Sequence, residues 1–352
     1  MEDFNVGVIE QTCLRARGYF YVGGTYRGYP GKRRMCGQMF VEVYVPRQIR
    51  AQYPIIMFHG AGQTNLNWLG TPDGRKGWAD YFVEQGYIVY LAEQPARGRS
   101  AYHAEDDGPR IYHPVEALEQ RFTSDHGDWP EAVLHTQWPD GGETIGTKTF
   151  DQFAASQVEY LPDNAASQKR VQACAEELLQ KTGPSVLLTH SQAGPFGWNI
   201  ADAYPGLVKG IVALEPSGPP FSNDLSCSCA KNFGISDLPL RFEPRVVSPG
   251  DFELEFCPGN AEGEQAGWIL KGERYKLPHF PRIPILILTA EASYHARYDH
   301  LTSRVLKQMG VEHEHIKLRE AGIHGNGHMM MLEKNNLEIA GFIQDWLDRN
   351  IR

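Results

Sequence analysis

The chain has 352 residues, of which 41% are hydrophobic and 22% charged, and its formal net charge is -9 at pH 7. This composition is typical of a globular protein and excludes an intrinsically disordered one. The acidic balance argues against a nucleic-acid partner, because phosphate binding needs a basic surface. No apolar run approaches the roughly 18 residues that a membrane span requires, so no spanning segment is predicted.

Short apolar runs alternate with helical patterns along the chain, which is typical of an α/β protein with a mostly parallel sheet. Strands over 18–24 and 38–46 are predicted to form an antiparallel pair, because a Gly/Pro-rich turn separates them. The other predicted elements, in chain order, are strand 53–62, helix 77–86, strand 87–94, helix 164–181, strand 184–190, helix 192–205, strand 207–216, strand 283–291, a helix near 298–309, strand 313–320 and helix 335–350.

Two long segments interrupt this alternation. Residues 98–164 lose periodicity and are rich in His, Trp, Pro, Asp and Gly, whereas residues 217–281 are rich in Pro, Gly and Cys. Loops of this length inside a compact domain are usually functional. We therefore expect a single domain, 1–352, in which the two insertions form a cap over a ligand site. Their aromatic side chains favour an apolar acyl or aromatic ligand, unless they only pin the segments to the body: Phe122, Trp129, Trp138, Phe153, Phe221 and Trp268.

Polar residues follow several predicted strands at their carboxyl ends, where ligands bind in open α/β sheets. Ser191 ends one such strand, in the stretch VLLTHSQAGPFGW, with Thr189 two positions before it and Ala193 two positions after it. A nucleophile elbow needs small residues at those positions, because its strand-to-helix turn brings backbones close together. From this stretch alone, a serine that caps the following helix is the simpler interpretation.

A second strand end carries glycines. The stretch FHGAG closes strand 53–62 and resembles the turn that supplies a backbone amide to an oxyanion hole. The amides of Ala61 and of Gln192, which directly follows the serine, are the predicted oxyanion donors. A tight turn with no catalytic function is the alternative. Nearby, Arg97 and Arg99 in PARGRS are interpreted as surface-loop residues that could also contact a substrate carboxylate.

A general base is predicted in the late loop IHGNGHMMMLE, which offers two histidines. His328 follows a glycine and precedes Glu333 by five positions, and we take it as the base, with His324 as the alternate. Glycines lie between the two histidines, so a rigid metal site at helical i, i+4 spacing is not expected.

An acid is needed to orient the base and to stabilise its charged form. Glu215 ends the strand that follows Ser191 and is the predicted acid, with Glu291 and Asp299 as alternatives one strand later. Ser191, Glu215 and His328 then follow one another in the chain order that α/β-hydrolases use. The agreement of several strand ends favours Ser191 as a nucleophile over a helix cap.

At these motifs the sequence resembles the α/β-hydrolase superfamily over essentially the whole chain apart from the insertions, and in particular a bacterial and fungal esterase branch. The quoted stretches are GYFYVGG, HGAGQT, GWADYFVEQGY, PARGRSAYH, HSQAGPFGW, LEPSGPP, ISDLPLRF, LTAEASYH and GNGHMMMLEKNN. The resemblance implies an α/β-hydrolase fold with helices on both faces of the sheet, a serine carboxylesterase-type site with Glu as the acid after the sixth strand, and often a homodimer.

The expected function is hydrolysis of a small carboxylic ester or lactone through an acyl-enzyme, with no cofactor and no metal. A non-hydrolytic lyase or cyclase of secondary metabolism on the same fold is the first alternative, and a catalytically inactive binding protein is the second. Covalent trapping separates the enzyme types.

The cysteines and the N-terminal residues give information on the cellular compartment of the protein. The six cysteines are scattered through a chain long enough to build its own core, so we expect reduced, unpaired thiols: Cys13, Cys36, Cys174, Cys227, Cys229 and Cys257. The CSC stretch at 227–229 has no matching Cys or His pair, so no metal is predicted there. The opening MEDFNVGVIEQ does not read as a signal peptide, and no N-glycosylation sequon occurs. We therefore expect a cytoplasmic protein, with an exported protein whose signal peptide has been removed as the alternative.

Overall fold

A computed structural model describes residues 8–221, 230–260 and 263–351, so the CSC stretch at 227–229 lies outside the described residues. The strands are β1 (Leu14–Arg27), β2 (Arg34–Pro46), β3 (Ile55–Phe58), β4 (Val89–Glu93), β5 (Ser185–His190), β6 (Val208–Leu214), β7 (Leu254–Cys257), β8 (Gly267–Leu270), β9 (Ile285–Thr289) and β10 (Glu314–Lys317). The α-helices are α1 (Leu66–Leu69), α2 (Trp78–Glu84), α3 (Ala104–Asp107), α4 (Val115–Leu118), α5 (Lys148–Ala155), α6 (Asn164–Thr182), α7 (Gly194–Ala203), α8 (Asp299–Gln308) and α9 (Asn336–Asn350).

Eight strands form one sheet in the order β1-β2-β4-β3-β5-β6-β9-β10. The pairs β1–β2 and β2–β4 are antiparallel, and every later pair is parallel. Helices α2 and α9 pack on each other, as do α6 and α7. The predicted antiparallel opening pair and the mostly parallel α/β sheet are both confirmed.

The central strands are buried along their whole length. Every residue of β3 and of β5 is buried, and so is nearly all of β6. A parallel strand covered on both faces must be apolar throughout, which explains the continuous runs IIMF and VLL. The register pairs Phe58 with Thr189 and His190 with Leu214. The residues that follow β3, β5 and β6 therefore emerge side by side at one edge of the sheet.

The two interrupting segments differ in structure. Residues 98–164 contain the short helices α3, α4 and α5, with π- or 3₁₀-helical turns between α4 and α5. Helices of four to eight residues show too few turns for a helical period, which is why periodicity failed to predict them. In the second segment, β7 and β8 form a hairpin, and β8 packs on α8. A joint role of both segments as a cap stays a prediction.

Two further features concern the described part of the chain. Its cysteines Cys13, Cys36, Cys174 and Cys257 are free thiols, and all but Cys13 are buried. Among the described residues, none of the helices has the length and apolarity that crossing a membrane demands.

Candidate active site

Ser191 lies on a sharp turn between β5 and α7. Its φ is +55°, a left-handed conformation that is uncommon for a residue with a side chain. The turn continues as a single 3₁₀ turn to Ala193, which is completely buried. A Cβ built on Gly194 would lie 2.5 Å from Cβ of Pro216, so only glycine fits this approach. The backbone thus has the strained, closely packed form that a nucleophile elbow requires, although Thr189 and Ala193 replace the usual glycines.

Glu215 and His328 are in direct contact. Glu215 immediately follows β6, also at positive φ (+44°). Its Oε2 lies 2.5 Å from Nδ1 of His328 and accepts a hydrogen bond from the Ser293 hydroxyl at 2.7 Å, and its Oε1 accepts one from the Ala290 amide at 2.8 Å. With its Nδ1–H directed at a carboxylate, a neutral His328 presents the lone pair of Nε2 on the opposite side of the ring.

Burial controls the charge of this pair. Burial raises the pKa of Glu215 well above its ordinary value, and the nearby Asp299 carboxylate adds to the rise. Burial also lowers the pKa of His328 well below its ordinary value, helped by His190 and His295. His328 is therefore neutral at neutral pH, which is the form in which an imidazole accepts a proton.

The alternative base and acid pair with each other instead. Nδ1 of His324 lies 3.2 Å from both carboxylate oxygens of Glu291, and the His324 side chain is 63% exposed. Glu291 also accepts a hydrogen bond from the Gly325 amide at 2.9 Å. Asp299 has a third histidine as its partner, His295, at 2.9 Å. Of the three candidate acids, Glu215 is the one in contact with His328.

The glycine-rich loop after β3 lies beside the serine. A Cβ built on Gly60 would lie 3.1 Å from Cβ of Ser191, so the loop and the turn are in van der Waals contact. Ala61 follows Gly60 directly, and Gln192 follows Ser191 and is buried. The two residues expected to donate to an oxyanion therefore flank the serine.

Arg97 ties this loop to the turn. Its Nη1 donates to the carbonyl oxygens of Gly60 and Gln63, both at 3.2 Å, and its Nη2 donates to Oε1 of Gln192 at 3.4 Å. Arg97 is only 3% exposed, and burial lowers its pKa to about 9, so it stays charged at neutral pH. The interpretation of Arg97 as a surface-loop residue is wrong. No sequence signal distinguishes it from Arg99, which is partly exposed and bound to Glu93.

Aromatic residues of the first segment pack against the histidine. The Phe122 ring stacks on His328 with centroids 5.5 Å apart, and Phe153 packs edge-on behind Phe122 at 6.2 Å. Trp138 packs on Phe153, and Nε1 of Trp129 donates to the carbonyl oxygen of Ala292.

The aromatic residues of the second segment pack among themselves. Phe221 packs on Phe252, and Trp268 packs on Phe256. Of these six aromatic residues, Phe122 of the first segment is the one that stacks on His328.

Glu215, His295 and His328 offer ligand atoms that all lie within 4.8 Å of one another. Those atoms are engaged in hydrogen bonds: His328 with Glu215, and His295 with Asp299 and Tyr298. The set fits a hydrogen-bonded relay better than a metal centre, and the expectation of no metal stays a prediction.

No family model matches the chain. The chain is 44% identical over 335 residues to a fungal protein named probable secreted lipase phiG (Fungal sp., strain ATCC 74256). The matching region covers 94% of this chain and 89% of that protein. The chain belongs to the α/β-hydrolase family. This α/β-hydrolase is also similar to a bacterial esterase of known structure, with 25% identity, a TM-score of 0.62 and coverage of 99% of both chains. It is a carboxylic ester hydrolase.

The expected cytoplasmic location is wrong, because the fungal relative of this α/β-hydrolase is named a secreted protein. The expectation rested on opening residues without a signal-peptide pattern and on the lack of glycosylation sequons. Neither feature opposes export, because secreted proteins need no sequon and a signal peptide is removed from the mature protein.

Proposed function

We propose that this α/β-hydrolase cleaves a carboxylic ester through an acyl-enzyme on Ser191, with His328 as general base and Glu215 as the acid that orients it. The observation that carries the proposal is the 2.5 Å contact between Glu215 and His328, both buried, at the sheet edge where Ser191 stands at positive φ. Such a constellation is recognised by its geometry and its chain order.

In the first half of the reaction, the Ser191 hydroxyl gives its proton to Nε2 of His328 while Oγ attacks the ester carbonyl. The amides of Ala61 and Gln192 hold the resulting oxyanion. Glu215 stabilises the imidazolium without taking its proton. When the tetrahedral intermediate collapses, His328 protonates the leaving alcohol and the acyl group stays on Ser191.

In the second half, water gives a proton to Nε2 of His328 and attacks the acyl carbonyl. Collapse of this second intermediate breaks the bond to Oγ, and His328 returns the proton to Ser191. The acid is released and the free enzyme is restored. Each step uses only the chain's own groups and water.

We further propose that the first segment, 98–164, acts as a lid and that the substrate carries an apolar acyl chain. Phe122 stacks on His328, and a Cβ built on Gly62 would lie 2.8 Å from the His113 ring, so the segment touches both the base and the oxyanion loop. The name of the fungal relative supports a lipid-like ester and a secreted enzyme. A lactone is the cyclic form of the same bond.

The test is hydrolysis of p-nitrophenyl esters of increasing chain length by wild type and Ser191→Ala. We expect kcat to fall at least about 10⁴-fold in the variant, as for the loss of a serine nucleophile elsewhere. Ser185→Ala, at the opposite end of β5, is the matched control and should keep wild-type turnover. Wild-type turnover in Ser191→Ala would end the proposal and favour chemistry without an acyl-enzyme.

A further inference from the structure

A second carboxylate–histidine pair lies beside the one that the proposed function uses. Nδ1 of His295 lies 2.9 Å from Oδ1 of Asp299, and its Nε2 lies 2.9 Å from the hydroxyl of Tyr298. Oδ2 of Asp299 accepts a hydrogen bond from the Thr289 hydroxyl at 2.7 Å. His295 and Asp299 are each 1% exposed. Both ring nitrogens of His295 are therefore occupied, and its ring is locked in place.

The locked ring lies flat on the proposed base. The centroids of His295 and His328 are 4.8 Å apart and their planes differ by 9°. Phe122 also stacks on His328, with planes 20° apart. Rotation of the His328 ring would break both stacking contacts as well as its hydrogen bond to Glu215. Stacked rings of this kind prefer a parallel, offset arrangement at such distances.

If His295 only filled space beside His328, it would not need a buried carboxylate as its partner. Burying an Asp–His pair costs desolvation that apolar residues of similar volume avoid, so packing alone gives no reason for the pair. The charge of Asp299 is felt at the proposed active site, because it contributes to the raised pKa of Glu215.

We propose that His295 is a positioning residue for His328: it fixes the plane of the base, and the Asp299 carboxylate behind it stabilises the imidazolium that forms in the transition state. This inference rests on the proposed function. It assigns Asp299 a role in tuning the base without contact to it, whereas Glu215 holds the base directly.

Other groups also face the two histidines and must be kept constant. Glu215, His190 and Tyr294 contact His328, and the Tyr294 ring also packs on His295. Arg121 and His113 reach His328 electrostatically from the first segment.

On the side of Asp299, the hydroxyl of Thr289 also contacts Nε2 of His315 at 3.0 Å. A substitution at Asp299 removes no group that contacts His328, so a change in the titration of the base reports the lost charge, acting on His328 directly or through Glu215.

The experiment is the pH profile of kcat/KM for Asp299→Asn, which keeps the shape of the side chain and removes its charge. The acid limb of this profile reports protonation of the base in the free enzyme. Loss of a nearby negative charge destabilises the imidazolium, so the limb should move to lower pH, by roughly one unit for a charge one ring away in a medium of effective dielectric about 20. We expect kcat to fall about tenfold, with KM within about twofold of wild type.

Asp202→Asn is the matched control, because Asp202 is also a buried aspartate beside a histidine, His279 at 3.3 Å, but lies at the far end of α7. Its acid limb should coincide with that of wild type. The double variant His295→Phe/Asp299→Leu keeps a flat ring but also removes His295, which lowers the pKa of His328, so its acid limb should lie between those of Asp299→Asn and wild type.

An acid limb that superimposes on wild type in folded Asp299→Asn would overturn the inference. So would the failure of both the single and the double variant to fold, because the pair would then serve the fold and not the base. Ser191→Ala is measured alongside: if it retains turnover, the proposed function fails as well, and if it is inactive while the Asp299→Asn profile is unmoved, only this inference fails.

Discussion

Oε2 of Glu215 lies 2.5 Å from Nδ1 of His328, although 113 positions separate the two residues in the chain. The contact is possible because β6 ends at the same sheet edge as β5, and because the loop before α9 returns to that edge. His324 and Glu291 form a similar pair, with Nδ1 of the histidine 3.2 Å from Oε1 of the glutamate, but His324 is exposed. The buried His328 thus pairs with the buried Glu215, whereas the exposed His324 pairs with Glu291, whose side chain is 15% exposed.

The first prediction separates these pairs by their glutamates. Glu215→Gln should lower kcat about 10³- to 10⁴-fold, because the amide neither holds the required tautomer of His328 nor stabilises its charged form. Glu291→Gln is the matched control and should stay within about tenfold of wild type. A larger loss at Glu291 than at Glu215, measured as kcat on one p-nitrophenyl ester, would reverse the assignment of the acid.

The second prediction concerns Arg97 and the proposed oxyanion loop after β3. Arg97→Lys keeps the charge, but an ammonium cannot reach Gly60, Gln63 and Gln192 together in the fork geometry of a guanidinium. The loop should loosen, and we expect kcat to fall roughly tenfold to a hundredfold, approaching the cost of a lost oxyanion donor. Arg99→Lys should remain within about twofold of wild type. Equal activity of both variants in the same assay would remove Arg97 from the site.

The third prediction is a loss of stability in mild acid. Burial lowers the pKa of His59 and of His190 to about 3, below the value of about 6.5 in an unfolded chain. Between these values the unfolded chain binds more protons, so stability is present above pH 6.5 and falls as the pH drops. The two histidines together should make the free energy of unfolding about 3 kcal/mol lower at pH 5.5 than at pH 7.5. Urea unfolding at pH 7.5 and 5.5 measures this, and an equal or higher free energy of unfolding at pH 5.5 would contradict it.

The fourth prediction has the opposite sign and concerns the proposed lid, segment 98–164. Nε2 of His135 lies 2.9 Å from Oε1 of Glu333, and the pair joins the first segment to the loop that carries His328. Burial lowers the pKa of His135, but the Glu333 carboxylate outweighs this, so the net direction is upward. The stabilisation is therefore complete below pH 6.5 and disappears as the pH rises through the folded-state value.

Variants isolate this contribution. His135→Gln should lower the free energy of unfolding by about 1.5 to 3 kcal/mol at pH 5.5, as for a hydrogen bond to a charged group, and by less at pH 9. His324→Gln removes an exposed histidine from a glutamate and should change stability by no more than about 0.5 kcal/mol at either pH. A larger loss for His135→Gln at pH 9 than at pH 5.5 would show that the pair is not ionic.

Much of the site follows from where strands end. In a parallel sheet the residues after β3, β5 and β6 must share one edge, so Gly60, Ser191 and Glu215 could be placed together without coordinates. His328 followed from its position in the loop before the last helix. The choice of Glu215 over Glu291 rested on its position at the end of the strand that directly follows Ser191, because the chain order of serine, acid and histidine admits either glutamate.

Other features of the site could not be predicted from sequence patterns. Arg97 is held by hydrogen bonds to Gly60, Gln63 and Gln192, which lie far from it in the chain, and the stretch PARGRS by itself suits a surface loop equally well. The pair His295 and Asp299 is four residues apart on one turn of chain, a spacing that is common on exposed helices. The helices of segment 98–164 are stabilised by tertiary contacts such as that between Phe122 and His328, which local patterns do not encode.

The most direct measurement is the position of a covalent adduct after treatment of the wild-type enzyme with a fluorophosphonate. Peptide mapping by mass spectrometry should place a single phosphonyl group on Ser191, and Ser191→Ala should remain unlabelled under the same conditions. An adduct on a different residue, or ester hydrolysis at the full rate by an enzyme that takes no label, would contradict the account.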